Sequence, residues 1–331
     1  MRIITVEEHF HHPEAVARVL ELGGPSAVVP DAGFGAFLEE FMPDQDSAEL
    51  LGGKRLQHMD RVGIDVQVVS HGANNPSSLA HPEAVELCRK VNDELARQIA
   101  QHPTRFRGFA TIPLFDPAAA ADELKRCVDE LGFVGALTMG TCGGLFLDDA
   151  RFEPVLAAAE QVELPIYVHP GMPPNPVSTA YYAGNWPAAV HFLFAGPGFG
   201  WHAEAGIHIL RLILSGALER HPGLKLLSGH WGELVAGWLD RVDEVFSWAN
   251  RLGRAPSTYY REQVWATPAG MYSQHQLNYI VAEIGAERII HSEDFPYVIR
   301  DNVSDFLEQA DLTDDQRSAI GHRNAEQVMR I

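Results

Sequence analysis

The chain has 331 residues, of which 46% are hydrophobic and 21% charged, and its formal net charge is −19 at pH 7. This composition is typical of a soluble globular protein, and the negative charge argues against nucleic acid or an anionic membrane surface as a partner. No run of about 18 apolar residues predicts a membrane span, the N-terminus lacks a signal-peptide pattern, and the three cysteines have no CxxC spacing. We therefore expect a cytoplasmic protein.

The first predicted element is a strand over residues 3–9, because residues 3–6 are four consecutive β-branched residues. Side chains alternate between the two faces of a strand, so Glu7 and His9 are expected on one face and Glu8 on the other. A carboxylate and an imidazole side by side suit a divalent metal ion. An ordinary strand that runs into a polar loop would look the same, so the metal interpretation depends on ligands from other strands.

The remainder of the chain alternates short apolar runs with helical patterns. Further strands are predicted at residues 64–70, 106–112, 134–139, 165–169, 224–229, 264–267 and 288–292. Helices are predicted at residues 46–62, 82–102, 116–131, 149–162, 204–220, 232–252, 273–284, 302–310 and 313–331, with Thr313 as an N-cap.

Eight strand–helix alternations predict an α/β fold of the (β/α)₈ TIM-barrel type. The alternative is an open doubly wound sheet with two domains, but the sequence contains neither a GxGxxG nor a GxxxxGK[ST] phosphate-binding motif. We expect residues 1–331 to form one barrel domain, with insertions at about 10–45 and 170–201 near the barrel mouth.

In such barrels the chemistry lies at the C-terminal ends of the strands. Four of the predicted strand ends carry histidine or carboxylate side chains, namely Glu7, His9, His169, His230, Glu233 and Asp294. Each has an ordinary alternative explanation: Glu233 could favour a helix N-terminus, and Asp294 could begin a turn before Phe-Pro. Because one fold brings all of them to one rim, the sequence favours a metal site.

The segments that carry these residues resemble the amidohydrolase superfamily, in particular its branch of γ-resorcylate and aminocarboxymuconate-semialdehyde decarboxylases. The matching segments are EEHF at 7–10, LGFVGAL at 131–137, YVHP at 167–170, HILRLILSG at 208–216, GHWGE at 229–233 and SEDFPY at 292–297. Many hydrolases of the superfamily begin with HxH, whereas Glu7-x-His9 is similar to the benzoate decarboxylases.

The resemblance implies one divalent metal ion bound by Glu7, His9, His169 and Asp294. It also implies that His230 is catalytic with Glu233 behind it, that Arg241 binds substrate or lies at a subunit interface, and that the protein is a homo-oligomer, a dimer or tetramer. Two carboxylates and two imidazoles suit Mn²⁺ or Zn²⁺, and the carboxylate in place of the first histidine favours Mn²⁺.

The expected reaction is the non-oxidative decarboxylation of a small hydroxylated aromatic carboxylic acid, with Asp294 as the proton carrier. The alternative is a metal-dependent hydrolase of an amide or lactone, in which Asp294 would act as the base for a metal-activated water. A non-catalytic binding barrel is a third class, against which the presence of all four candidate ligands argues.

Overall fold

The computed structural model describes residues 1–23, 26–249 and 251–331. Its strands are β1 (Ile4–Phe10), β2 (Val66–His71), β3 (Phe106–Gly108), β4 (Ala110–Thr111), β5 (Ala136–Met139), β6 (Ile166–His169), β7 (Leu226–Ser228) and β8 (Val264–Ala266). They pair in chain order, β1 to β3 and β4 to β8, and all pairs are parallel.

The strands close into a barrel of eight staves. Phe109 alone separates β3 from β4, so the two form one stave. The eighth stave is residues 289–292, which parallel bridges join to Ala266 of β8 on one side and to Val6 of β1 on the other. The (β/α)₈ prediction is therefore confirmed, and the predicted strand at 288–292 is the stave that closes the barrel.

The barrel is buried on both faces, which explains why its strands read as nearly continuous apolar runs. All seven residues of β1 are buried. An inner cluster that includes Ile4, Val68 and Leu227 fills the barrel, and a larger cluster lies between the barrel and the surrounding helices.

The α-helices follow the strands around the barrel. In chain order they are Pro13–Leu22, Phe34–Phe41, Gln45–Glu49, Gly53–Val62, Ala84–Ile99, Pro117–Leu131, Glu153–Val162, Asn175–Val177, Ala188–Ala195, Gly200–Leu214, Ala217–Arg220, Leu239–Phe246, Pro256–Gln263, Gln274–Ile284, Val303–Glu308, Asp314–Ser318 and Asn324–Met329. Short 3₁₀ turns lie at Pro76–Ser78, Ala150–Phe152, Ala236–Trp238 and Ala286–Arg288, and π-helical turns at Ser178–Tyr182 and Ala319–Arg323. Within the described ranges, no helix is both long and apolar enough to cross a membrane.

Two long segments outside the barrel, around residues 10–45 and 170–201, contact each other. Helix Phe34–Phe41 presents three phenylalanine rings to Phe192 of helix Ala188–Ala195, at centroid separations of 5.7–5.9 Å. The Asp31 carboxylate accepts the backbone N–H of Ala188 at 2.8 Å. That these segments are insertions into a single domain remains a prediction.

The predicted helix at 232–252 is wrong at both ends, because its first turn is left-handed and the regular α-helix ends at Phe246. Residues 230–234 all have positive φ, and regular α-helix begins only at Leu239. The predicted N-cap at Thr313 is correct, because its side chain and that of Gln316 form a reciprocal capping box.

Candidate metal centre

Four of the predicted ligands meet at the barrel mouth. Glu7 and His9 come from β1, His169 ends β6, and Asp294 follows the eighth stave. His9 Nε2 lies 3.2 Å from Asp294 Oδ1, and His169 Nε2 lies 3.6 Å from Glu7 Oε1. One donor atom from each of His9, His169 and Asp294 falls within a 4.8 Å cluster. The fold thus gathers these three side chains into one cluster and places the Glu7 carboxylate next to His169.

Strand β1 has a local irregularity at Glu7, where its side chains enter the site. Glu7 has φ = 68°, and the register of β1 against β2 shifts at this point, as at a β-bulge. Glu7 and His9 nevertheless both reach the site, as predicted. Glu8 points elsewhere, and its carboxylate accepts the backbone N–H groups of Glu293 at 3.0 Å and Phe295 at 2.9 Å. Glu8 therefore holds both residues that flank Asp294.

Three of the four proposed ligand side chains are oriented by a second contact on their far side. His169 Nδ1 donates to the Pro170 carbonyl at 2.7 Å, because a carbonyl can only accept. His9 Nδ1 lies 3.0 Å from Ser70 Oγ, and Glu7 Oε2 accepts the Thr267 hydroxyl at 2.9 Å. These contacts leave the Nε2 atoms and the other Glu7 oxygen facing the site.

The donor atoms fit a divalent cation. Among the residues that the structure describes, Glu7 Oε1 and His9 Nε2 find no hydrogen-bond partner although both are fully buried. Buried polar atoms without partners are rare and call for an explanation such as an ion. A divalent cation between them would satisfy both, and oxygen and imidazole donors are ligands that Mn²⁺ and Zn²⁺ accept.

The electrostatics of the site agree with this assignment. Burial raises the pKa of Glu7 to about 8 and that of Asp294 to about 7. Burial also lowers the pKa of His9 to about 3 and the pKa of His169 well below its usual value. The imidazoles are therefore neutral and able to coordinate, and a positive charge between the carboxylates would favour their ionised form.

His230 and Glu233 form a hydrogen-bonded pair beside the ligands. His230 Nδ1 lies 2.7 Å from Glu233 Oε1 and 3.8 Å from Glu7 Oε1. Burial opposes the charge on His230, but the carboxylates of Glu233 and Glu7 outweigh it and raise the pKa of His230 to about 10. Burial likewise opposes the charge on Glu233, but His230 and His202 outweigh it and lower the pKa of Glu233 to about 2. The pair is thus an imidazolium and a carboxylate.

A left-handed turn presents this pair to the site. The φ angles of residues 230–234 are 47°, 61°, 81°, 52° and 69°. Left-handed backbone costs roughly 1–2 kcal/mol for each residue other than glycine, and only Gly232 is exempt. Strain of this kind persists where surrounding contacts enforce it, and it concentrates at functional sites.

The sequence did not identify His202, which the structure places on the other side of Glu233. His202 Nδ1 lies 2.9 Å from Glu233 Oε2, and its ring centroid is 4.2 Å from that of His230. The two residues in contact are 31 positions apart, and no motif in the sequence links them.

Arg241 is not brought to the site in this chain. Its side chain is 61% exposed and pairs with Glu244 on the same helix at 2.7 Å. A role for Arg241 in substrate binding remains a prediction.

A parallel eight-stave barrel whose strand ends gather two imidazoles and two carboxylates defines the class of metal-dependent barrel enzymes. A family model described as amidohydrolase matches residues 7–331, and the chain belongs to this family. The resemblance seen in the sequence motifs is therefore confirmed.

Relatives of this chain are similar over most or all of its length. The γ-resorcylate decarboxylase of Rhodococcus jostii is 33% identical over 99% of this chain and 98% of its own. Decarboxylase orsB of Emericella nidulans is 36% identical over 86% of this chain and 87% of its own. A solved dihydroxybenzoic acid decarboxylase from Polaromonas sp. JS666, with bound manganese and the inhibitor 2-nitroresorcinol, has a TM-score of 0.85 and 31% identity over 99% of this chain and 97% of that chain.

Proposed function

We propose that this chain is a metal-dependent, non-oxidative decarboxylase of a hydroxylated aromatic carboxylic acid, and hence a carbon–carbon lyase. The observation that carries the proposal is the cluster of His9, His169 and Asp294 at one barrel rim, with Glu7 3.6 Å from His169 and two buried donor atoms left unpaired. Similarity to named decarboxylases over nearly the full length of the chain supports the same reaction.

These four residues would hold one divalent ion, with Mn²⁺ favoured and Zn²⁺ second. The manganese bound to the solved Polaromonas relative supports this order, as does the equal number of carboxylate and imidazole donors. When bound, the ion supplies a Lewis acid that fixes the carboxylate and the neighbouring phenolic oxygen of the substrate.

The residues of the chain supply the proton chemistry. Asp294 would take up a proton from solvent and deliver it to the ring carbon that carries the carboxylate, which makes that carbon tetrahedral. The bond to the carboxylate then breaks, carbon dioxide leaves, and the electron pair restores the aromatic ring. The net change replaces the carboxylate with the proton. His230, oriented by Glu233, would hydrogen-bond and polarise the substrate.

The assembly and the cell compartment are also part of this proposal. We propose a homo-oligomer, either a dimer or a tetramer, in the cytoplasm. The exposed Arg241 would then lie at a subunit interface, and its exposure in the single chain is compatible with that position.

A panel of hydroxybenzoates assayed for carbon dioxide release in deuterium oxide tests the reaction. Decarboxylation should place one deuterium at the carbon that carried the carboxylate. Acids without an ortho hydroxyl should react poorly, because they lose both chelation and electron donation to the ring. Esters, lactones and amides serve as the comparison, and turnover confined to them would establish a hydrolase instead.

A further inference from the structure

One buried carboxylate is shared between two imidazoles at this site. Glu233 Oε1 faces His230 Nδ1 at 2.7 Å, and Glu233 Oε2 faces His202 Nδ1 at 2.9 Å. The Glu233 side chain is fully buried, and His202 and His230 are 14% and 10% exposed. Each carboxylate oxygen therefore has an imidazole partner of its own.

The direction of the hydrogen bonds follows from the partner of His202. Trp201 Nε1 lies 3.0 Å from His202 Nε2, and an indole N–H can only donate. Because the Glu233 carboxylate can only accept, His202 Nδ1 donates to its Oε2, while His202 Nε2 faces both the Trp201 N–H and the Pro197 carbonyl. Glu233 in turn accepts from His230 Nδ1, so that His230 Nε2 remains available to the site.

We propose that His202 is a positioning residue that acts on His230 through Glu233. This inference rests on the proposed function of the same site. A carboxylate bonded at one oxygen can rotate about its last torsion, whereas one bonded at both oxygens is fixed. The loss of His202 would leave a buried oxygen unpaired, and His230 would lose its fixed orientation.

The left-handed turn at residues 230–234 makes the contact between His202 and Glu233 important. Residues 230–234 occupy a backbone conformation that surrounding contacts must enforce. His202 provides such a contact from a different element, since it lies at the start of helix Gly200–Leu214. The Pro197 carbonyl, 3.1 Å from His202 Nε2, comes from the segment just before this helix, and Trp201 lies in its first turn. The excursion that precedes this helix thereby controls the orientation of the His230 ring.

Two substitutions of His202 distinguish a role in orienting Glu233 from a role in packing. His202→Leu removes the donor, whereas His202→Asn can place an amide N–H where Nδ1–H was. We expect His202→Leu to lower kcat about 10- to 100-fold, the usual effect of losing a contact behind a site residue, with KM changed less than about threefold. His202→Asn should recover most of kcat. Bound metal, measured by elemental analysis, should be unchanged in both.

His208→Asn is the matched control on the same helix. His208 is also buried and accepts the Leu147 N–H at 2.9 Å, but it belongs to the barrel–helix core. Its loss should lower the melting temperature and leave kcat unchanged at temperatures where the protein is folded. Equal kcat for wild type and His202→Leu, or no recovery in His202→Asn, would overturn the proposal.

A spectroscopic measurement tests the contact without turnover. With ¹⁵N-labelled histidine, the signals of His221 and His322, whose Nδ1 atoms also face carboxylates, should be the same in every variant. Wild type should in addition show two low-field Nδ1–H resonances, those of His202 and His230. His202→Leu should lose one and shift the other, and Trp201→Phe should shift the His202 signal. An unshifted His230 signal in His202→Leu would overturn the proposal. If wild type decarboxylates no aromatic acid, the proposed function fails, whereas these signals still decide whether His202 holds Glu233.

Discussion

At the scale of single residues, a substitution at His230 should affect turnover without affecting metal binding. Its Nδ1 is bonded to Glu233, and it lies 3.8 Å from the proposed ligand Glu7 without being a proposed ligand itself. Substitution of His230 by Asn preserves an amide near the Glu233 carboxylate but removes the ring nitrogen that faces the site. We expect kcat to fall on the order of 10²-fold or more with the metal content unchanged, by steady-state kinetics and elemental analysis.

A His9→Ala/His169→Ala double variant is the comparison for this prediction, because it should lose the metal together with activity. Near-normal turnover in His230→Asn would reduce His230 to a structural residue. Loss of metal in that variant would instead make it a ligand.

At the scale of elements, the structural features that depend on local, periodic patterns could be predicted from the sequence. The run of β-branched residues before Glu7 predicts β1, and alternation predicts that Glu7 and His9 share a face. The family resemblance predicts Glu233 behind His230, but a left-handed turn over residues 230–234 stands where the predicted helix at 232–252 should begin. Helical periodicity does not distinguish the two hands of a single turn.

Other contacts could not be predicted from local patterns. His202 meets Glu233 only because of the path taken by the excursion before it, and no pattern specifies that path. The contact of Glu8 with the loop around Asp294 spans 285 and 287 residues and depends on barrel closure. Residues at strand ends could therefore be predicted from the sequence, whereas the residues that support them from other elements could not.

The loop that carries Asp294 depends on β1 for its position. Glu8 accepts N–H groups on both sides of Asp294, and loss of a buried hydrogen-bond partner costs about 1–3 kcal/mol. We expect Glu8→Ala to lower the melting temperature and to weaken metal affinity about 10- to 100-fold by metal-buffered titration. Glu8→Gln, which keeps one acceptor oxygen, should have a melting temperature and a metal affinity between those of wild type and Glu8→Ala.

The exposed pair Arg18–Glu21 offers a control for this prediction, because surface ion pairs contribute about 0–1 kcal/mol. Glu21→Gln should change neither metal affinity nor melting temperature appreciably. Wild-type metal affinity in Glu8→Ala would show that the Asp294 loop is held by other contacts.

At the scale of the whole molecule, the proposed ligands lie where the barrel closes. Glu7 and His9 belong to the first stave and Asp294 follows the eighth, and these two staves are joined by the bridge between Val6 and Ser292. His169 adds a ligand from β6. A bound ion would therefore connect staves from both ends of the chain. It would stabilise the closed barrel as well as bind substrate.

Removal of the metal should lower the stability of the whole barrel. A ligand that binds only the folded state stabilises it by about 2.7 kcal/mol at a free concentration 100-fold above Kd, which for a chain of this size corresponds to a Tm shift of about 4 °C. We expect chelation to lower Tm by about that amount and added Mn²⁺ to restore it, measured by calorimetry. The His9→Ala/His169→Ala variant should respond to neither treatment, because it lacks both imidazole ligands. Equal Tm values for metal-free and Mn²⁺-loaded wild type would contradict an ion that connects the first and last staves.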